Sequence, residues 1–517
     1  MKCDETWPAC QRCTRTGRIC DGPARSSYLF LQPVQLRQYQ SASRKPFTKL
    51  QLNSPISQLD LNPVESRAFE FYLYRVAPCL AGTLDSPFWL ELVPKICHAN
   101  EGARNAVLAI SALFENPPGS VCPDPDRHRV LPQHYQALKW QLQSIAGFHR
   151  SLGQSRDVVQ LEIALLSCVL LTSIEYAQNN VHNAVMLLDR GFEVAGSIST
   201  GRNYADGESL STIKNVLLPM LARQTVLMAS FGHMPPQSWF ERFQEIAPTS
   251  ITSMTSMSDV RAGLYTCLWK SMDFIHSVVV EFTSGADLKA EDPASLIRSQ
   301  QKLVLQELMR WYSYFRLFRL DRTDDFGSKE RQAIAAMLMY YHVAHVWTTT
   351  CLDITHMQLD KNVDHFEAIV RYAESIIEDS ERAETTGPSP TFSFEMRVIP
   401  PLFFTGLRCR HPLLRRKCIN LLRRAPKQEA LFEAERNARA IEKVIELEET
   451  TEFREAVSDG TWDGVLMPSQ DMRCQHVVVH YEDAEGNKAA PSLIYTRGIR
   501  RMPSGELLMN TKTLPLF

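Results

Sequence analysis

The sequence predicts a mostly α-helical protein with a short cysteine-rich head and a small antiparallel β-rich tail. Helix-length apolar periodicities follow one another from about Asn62 to Glu449. Three β-rich runs separated by turn residues follow after position 470. Four of the 13 cysteines fall within the first 20 residues.

A chain of 517 residues exceeds the usual size of one hydrophobic core and predicts about two to four packing units. With 44% hydrophobic and 22% charged residues, the composition excludes a largely disordered or collagen-like chain. Glycine, at 22 residues, is about 4% of the chain against the usual ~7%. That argues against an architecture of Gly-rich phosphate loops. The net charge of −2 hides a split. Residues 1–50 hold nine Lys/Arg against three Asp/Glu, a balance of +6, which leaves −8 for the rest. A basic head on an acidic body is the asymmetry that nucleic-acid binding produces.

The elements follow in order. Residues 1–21 form the cysteine-rich head. Residues 22–61 are rich in Gln, Ser, Pro and Arg without a lasting period and read as a linker, with no heptad for a coiled-coil arm. A helical body is expected over 62–450. Asn62-Pro63-Val64-Glu65 opens it with a capping Asn, Pro at the first helical position and an acid behind. Ser86-Pro87 repeats the signal before Phe88 and Trp89. Further helices are expected at 101–116, 132–149, 156–178, 180–198, 208–231, 259–283, 294–320, 328–352, 362–383, 411–424 and 427–449. The most apolar run, Ile163 to Ile174, is 12 residues long between Glu162 and Glu175. A spanning helix needs about 20, so a core helix is expected and no membrane partner. No secretory signal is evident, which predicts an intracellular chain with reduced thiols. The extension at 451–517 carries strands expected at 475–481, 492–496 and 506–511, a small meander.

The head carries the chemistry. Cys3, Cys10, Cys13 and Cys20 are spaced C-x6-C-x2-C-x6-C. Thiolates separated by two residues grip a zinc from one tight turn, and a later cysteine closes the tetrahedron. So few apolar residues surround them that metal must drive the folding. The alternative is four unrelated free cysteines. The remaining nine show no close ligand spacing and read as buried small apolar residues.

The run from Lys2 to Cys20 resembles the second part of a fungal binuclear zinc-cluster DNA-binding domain. That family binds two zincs through six cysteines spaced C-x2-C-x6-C-x6-C-x2-C-x6-C. Cys3, Cys10, Cys13 and Cys20 match the third to sixth, and Asp4-Glu5, Pro8 and Gly17-Arg18-Ile19 also agree. The resemblance implies zinc as cofactor, nuclear location, regulation of RNA polymerase II genes, and double-stranded DNA with CGG-type half-sites as partner. It also implies a homodimer or other transcription proteins as partners. Such regulators often sit in biosynthetic gene clusters. Lys2, Arg12 and Arg15 are then phosphate contacts, which position without reading sequence. The part of the family module ahead of Cys3 holds the first two cysteines and the basic groove-reading helix. Three arrangements are open: Met1 is an internal residue of a longer frame, the truncation is real and DNA is no longer read, or the four cysteines hold one zinc. The first is preferred, because the family often has an apolar residue and then Lys just before its third cysteine.

The body is similar to the all-helical regulatory region found behind many such clusters. The elements that carry this are Phe69-Glu70-Phe71-Tyr72, Ser86-Pro87-Phe88-Trp89, Ala103 to Leu113, Leu161 to Glu175, and Cys409-Arg410-His411-Pro412 with Arg415-Arg416 and Leu421-Leu422. The competing class is a non-DNA-binding interaction or regulatory protein derived from such a factor. An enzyme is not expected, since the P-loop, dinucleotide, zinc-protease and nucleophile-elbow motifs are lacking. His342-x2-His345 reads as core or surface histidines rather than a metal pair, and the aromatic run Trp311 to Phe315 as core rather than a ligand box. The basic stretch Arg408 to Lys427 reads either as an import or phosphate patch, or as the solvated face of an amphipathic helix with Leu413, Leu414, Cys418, Leu421 and Leu422 behind it. Sequencing the 5′ end of the transcript is expected to show an in-frame Cys-x2-Cys ahead of Met1; its absence contradicts the longer frame.

Overall fold

A computed structural model describes residues 61–117, 132–151, 158–199, 207–230, 254–283, 291–320, 322, 326–384, 392–482, 488–501 and 507–516. The expected head, nearly all of the linker, Cys122 and both turns of the tail lie outside them.

The body opens with α1 (Pro63–Phe71) and α2 (Ala77–Ala81). Asn62 Oδ1 accepts the Val64 and Glu65 N–H groups at 3.0 Å, and Glu65 Oε2 accepts the Asn62 N–H at 3.2 Å. This reciprocal box is what the sequence announced. Next come α3 (Val93–Ala99), α4 (Glu101–Glu115), α5 (Pro132–Ser151), α6 (Val158–Ala177), α7 (Val181–Ser199), α8 (Glu208–Thr212) and α9 (Leu218–Ser230).

Three prolines stand inside otherwise continuous helical stretches, and each is absorbed the same way. Wide π turns at Tyr72–Val76, Pro87–Leu92 and Ile213–Leu217 precede Pro78, Pro94 and Pro219. In each, the residue before the proline donates its N–H five positions back: Ala77 to Tyr72, Val93 to Phe88, Leu218 to Ile213. A proline removes one α-helical hydrogen bond and its ring crowds the preceding turn. The wider turn gives the ring room. Ser86 is not the side-chain cap its sequence suggested; it has helical backbone angles, makes no cap bond and leads straight into the second π turn.

Helices α4 and α5 cross with their backbones close together. A Cβ on Gly147 would lie 2.7 Å from Gly102 N, and one on Gly102 would lie 2.6 Å from Phe148 N. Only glycine lets these backbones meet. Ser144 Oγ donates across the crossing to Gly102 O at 2.8 Å. Helix α6 is long and apolar enough to cross a membrane by length and composition alone. Here Ala164 to Tyr176 are buried, and the helix packs on α4, α5 and α7, as a core helix would.

A second core lies among α9, α10 (Met257–Thr283), α11 (Glu291–Leu320) and α12 (Ser328–Thr350). Trp311 is its centre: fully buried, stacked on Phe315 with ring centroids 5.1 Å apart, its indole N–H donating to Val260 O at 3.0 Å. Trp311 and Phe315 of the aromatic run are core, as expected, while Tyr312 and Tyr314 are half-buried. Helix α13 (Val363–Glu384) packs along α12.

The chain then departs from expectation. Strand β1 (Phe392–Ser393) precedes α14 (Ile399–Arg408), a helix the sequence reading did not identify; Pro400 and Pro401 sit in its first turn, where the missing N–H groups cost nothing. Helix α15 (Pro412–Arg424) follows. The helix expected at 427–449 begins only at Ala434. Residues 428–433 instead form a hairpin, β2 (Gln428–Glu429) and β3 (Phe432–Glu433), with β2 parallel to β1. Tertiary bonds override the helical pattern. Glu429 accepts the Arg397, Val398 and Ile399 N–H groups, each with one oxygen at 2.9 Å, and so caps α14; Gln428 Nε2 donates to Tyr176 O at 2.9 Å. After α16 (Ala434–Glu448) and the short α17 (Thr451–Ser458), the tail forms β4 (Cys474–Glu482), β5 (Lys488–Arg501) and β6 (Leu507–Pro515). They pair antiparallel in sequence order, as expected, with a register shift at Arg497/Arg500 in β5.

Gly147→Ala tests the crossing. Backbone cannot yield as a flexible side chain would, so a loss of roughly 1–3 kcal/mol in urea unfolding is expected. A change inside ±0.5 kcal/mol, the ordinary surface range, contradicts the reading.

Candidate functional site

Cys3, Cys10, Cys13 and Cys20, expected to hold zinc, and Lys2, Arg12 and Arg15, expected at DNA phosphates, lie outside the described residues. Among the described residues, no group of three or more His, Cys, Asp or Glu is placed to hold a metal. Eight cysteines are described, none in a disulfide; six are buried, and Cys79 and Cys351 are half-buried. Burial pushes the Cys168 thiol up to about 11 and the Cys409 thiol up to about 12, which keeps both protonated and unreactive.

The basic stretch from Arg408 to Lys427 is neither a free cationic patch nor the simple solvated face expected. Arg410 and Arg415 are completely buried, and it is Leu413 that stands exposed. Between the two arginines lies the Glu448 carboxylate, at 0% exposure. Its Oε1 accepts from Arg410 Nη2 at 2.8 Å and from the Cys474 N–H at 2.7 Å. Arg415 Nη1 lies 2.7 Å from Oε2 as a charge contact without hydrogen-bond alignment, while its Nε donates to Gly406 O at 3.1 Å. Arg410 Nη2 also donates to Cys474 O at 3.0 Å. Four outward cations are paired as well: Arg416 with Glu449, Lys417 with Glu374, Arg423 with Glu435 and Glu442, and Arg424 with Glu381. Burial opposes ionisation of Glu448, but Arg410, Arg415 and the Cys474 N–H outweigh it and hold its carboxyl below the usual range.

The network continues into the tail. Arg473 clamps Asp360 with two bonds, of 2.6 and 3.0 Å, and donates to His356 O at 2.9 Å. Arg408 Nη1 donates to Gln475 O at 3.0 Å and touches the His356 ring. Burial and the Arg408, Arg410 and Arg473 cations hold His356 far below its ordinary pKa, so it stays neutral. This cluster fixes α14, α15 and α16 to the start of β4.

His342 and His345 belong to a three-ring cluster with His365. His345 and His365 stack with centroids 4.3 Å apart, and His342 Nδ1 lies 2.8 Å from His365 Nδ1. Such a bond needs one protonated and one bare nitrogen. Burial and the neighbouring rings push His342 down to about 3 and His345 to about 4. These are neutral packed histidines, as the sequence suggested.

A second charged centre had no signal in the sequence, because each side chain's bonding partner is more than a hundred positions away. Asp85 Oδ1 accepts from Arg223 Nη2 at 2.9 Å and from Arg261 Nη2 at 2.7 Å. Beside it, Glu395 Oε2 accepts the Thr83 N–H at 2.9 Å and Oε1 accepts the Thr83 hydroxyl at 2.8 Å. Gly82, at φ +51°, ends α2 there, and a Cβ on it would meet Glu395 Oε2 at 2.1 Å. Burial opposes the charge on Asp85, yet the two arginines hold its carboxyl below the usual range. Burial and Arg261 together lower Arg223.

These features define the class first: a large helical domain whose longest basic run is mostly paired internally and whose C-terminal sheet is bound to it by buried charge. The profile described as "Fungal specific transcription factor domain" matches residues 67–447, and the chain belongs to that family. It is a transcription regulator of fungal type. No curated protein and no solved structure matches the chain.

Glu448→Gln leaves the buried Arg410 without its counter-charge and Arg415 with only Glu449, 3.9 Å away. A loss of roughly 3–5 kcal/mol at neutral pH is expected in chemical denaturation. The folded-state pKa lies below the unfolded one, so the wild-type contribution is present above the unfolded value and is lost as pH falls through the folded value. The variant is expected to show a shallower acid limb, and a variant as stable as wild type contradicts the account.

Proposed function

We propose that this family member is a zinc-cluster regulator that acts in the nucleus on RNA polymerase II genes. Thiolates of Cys3, Cys10, Cys13 and Cys20 bind zinc and fold the head, and Lys2, Arg12 and Arg15 contact phosphates of double-stranded DNA. The helical body receives regulatory partners or effectors. The observation that carries this reading is the C-x6-C-x2-C-x6-C spacing standing ahead of a matched fungal transcription factor domain. The domain supplies the context in which four such cysteines are ligands rather than stray thiols.

Among the described residues, six of the eight cations in the body's longest basic run, Arg410, Arg415, Arg416, Lys417, Arg423 and Arg424, are held in ion pairs within the chain. Under this reading affinity for phosphate falls to the head.

Metal analysis of the purified 517-residue chain is expected to find zinc, lost in a Cys10→Ser/Cys13→Ser double variant. A zinc-free wild-type chain contradicts the proposal. Gel shifts with this chain are expected to be weak, salt-sensitive and indifferent to CGG sequences, since phosphate contacts alone remain. A tight, sequence-selective shift contradicts that expectation.

A further inference from the structure

We propose that the outward face of α11 is a docking surface for a second copy of this chain, which it meets through that copy's acidic, apolar-tipped segment at 451–471.

Helix α11 is apolar on more than its core side. Ile297, Leu308, Trp311, Phe315 and Phe318 are buried, yet Leu303 stands 62% exposed and Leu317 57%, with Leu296 and Leu320 also exposed. Residues seven apart return to one face of an α-helix. Leu296, Leu303, Arg310 and Leu317 therefore form one row and Lys302, Met309 and Arg316 another, with Ser299, Gln306 and Ser313 between them. Arg298, Lys302, Arg310 and Arg316 are exposed, and among the described residues no acid pairs with any of them. From Ser295 to Leu320 the only acid is Glu307, which Lys270 holds at 2.6 Å. The chain past residue 50 sums to −8, so this helix face inverts the charge of the body around it.

The arrangement of the rows selects the kind of partner. A membrane-binding helix needs an unbroken apolar stripe, and here polar residues run between the leucines. A phosphate-binding face would set those leucines against charged oxygens. Leucine beside cation fits instead a protein surface that carries aliphatic side chains among carboxylates.

The chain itself carries such a surface. Thr451 to Asp471 holds five acids and one cation, Arg454. Glu452, Glu455, Asp459 and Asp463 are exposed, and among the described residues none is in an ion pair. Beside them Val465 is 79% exposed and Leu466 60%. Their loop is tied to itself. The Thr461 and Trp462 N–H groups both donate to Ala456 O at 2.9 Å, and Trp462 Nε1 donates to Leu466 O at 2.8 Å. Asp463 Oδ1 accepts the Val465 and Leu466 N–H groups, each at 2.9 Å. A loop already held in one shape loses little freedom when its aliphatic tip is covered. Each copy brings both faces, one cationic and one anionic, and the contact makes no use of the cysteine head.

The test is sedimentation of the full chain at micromolar concentration in low and high salt. Self-association is expected in low salt and its loss in high salt, because salt screens exposed charges. Arg310→Glu/Arg316→Glu and, separately, Glu455→Lys/Asp459→Lys are each expected to abolish it. Mixing the two variants is expected to restore it, since each then offers the other opposite charge at both faces. Should a reversed variant not fold, carbodiimide cross-linking of mixed unlabelled and isotope-labelled wild type is expected to join Lys302 of one copy to Glu455 or Asp459 of the other. A chain that stays monomeric, association indifferent to salt, variants that associate alone as wild type does, or a mixture that stays apart overturns the proposal. So does a monomer whose binding to duplex DNA or to anionic vesicles is lost in the arginine variant, which gives the face to that partner instead.

Discussion

The carboxylate of Glu448 is the point on which the C-terminal third depends. A buried charge is costly unless it is paired and hydrogen-bonded. Here the pairing draws in three separate pieces of chain. Arg410 arrives from the link between α14 and α15, Arg415 from α15, and the Cys474 N–H from the first residue of β4. None can leave without stranding the others. The sheet is therefore not an appended hairpin; its first strand completes the coordination of a charge that belongs to the helical body. Arg473 on Asp360 and Arg408 on Gln475 O repeat the arrangement on either side.

The fold sets this buried charge beside a full apolar core, with Leu402, Leu421, Leu422, Ile441 and Val444 all buried in α14–α16. The α4–α5 and α9–α12 regions are closed by glycine contacts and aromatic stacking. The α14–α16 region adds buried arginine–carboxylate pairs to its apolar core. That division explains why the longest basic run of an acidic body reads as a surface feature and behaves as an interior one. Under the proposed function the nucleic-acid role falls to the head, where cations and cysteines stand together in sequence.

Local rules made much of this legible. The Asn62 box, the helix periodicities and the alternating strands of the tail are short-range signals and appear where the residues placed them. Even Pro219, a breaker by rule, sits in a stretch correctly expected to stay helical, because a π turn makes room for it. What was hidden is long-range. Residues 428–433 carry a helical pattern, but Glu429 is worth more as the cap of α14, and the chain bends into a hairpin with Ala430 at φ 47°. Arg410 was noticed as part of a motif, yet its partner lies 38 positions away. The Asp85 centre draws on residues separated by 138 and 176 positions. No window of sequence contains such pairs.

The central claim is that the tail sheet and the α14–α16 helices are one cooperative unit closed by Glu448. Native-state hydrogen exchange of the full chain tests it most directly. The Cys474 amide and the α16 amides near Ile445 are expected to exchange through the same opening, with the same free energy and the same urea dependence. A β4 that opens at much lower free energy while α16 stays protected would contradict the account.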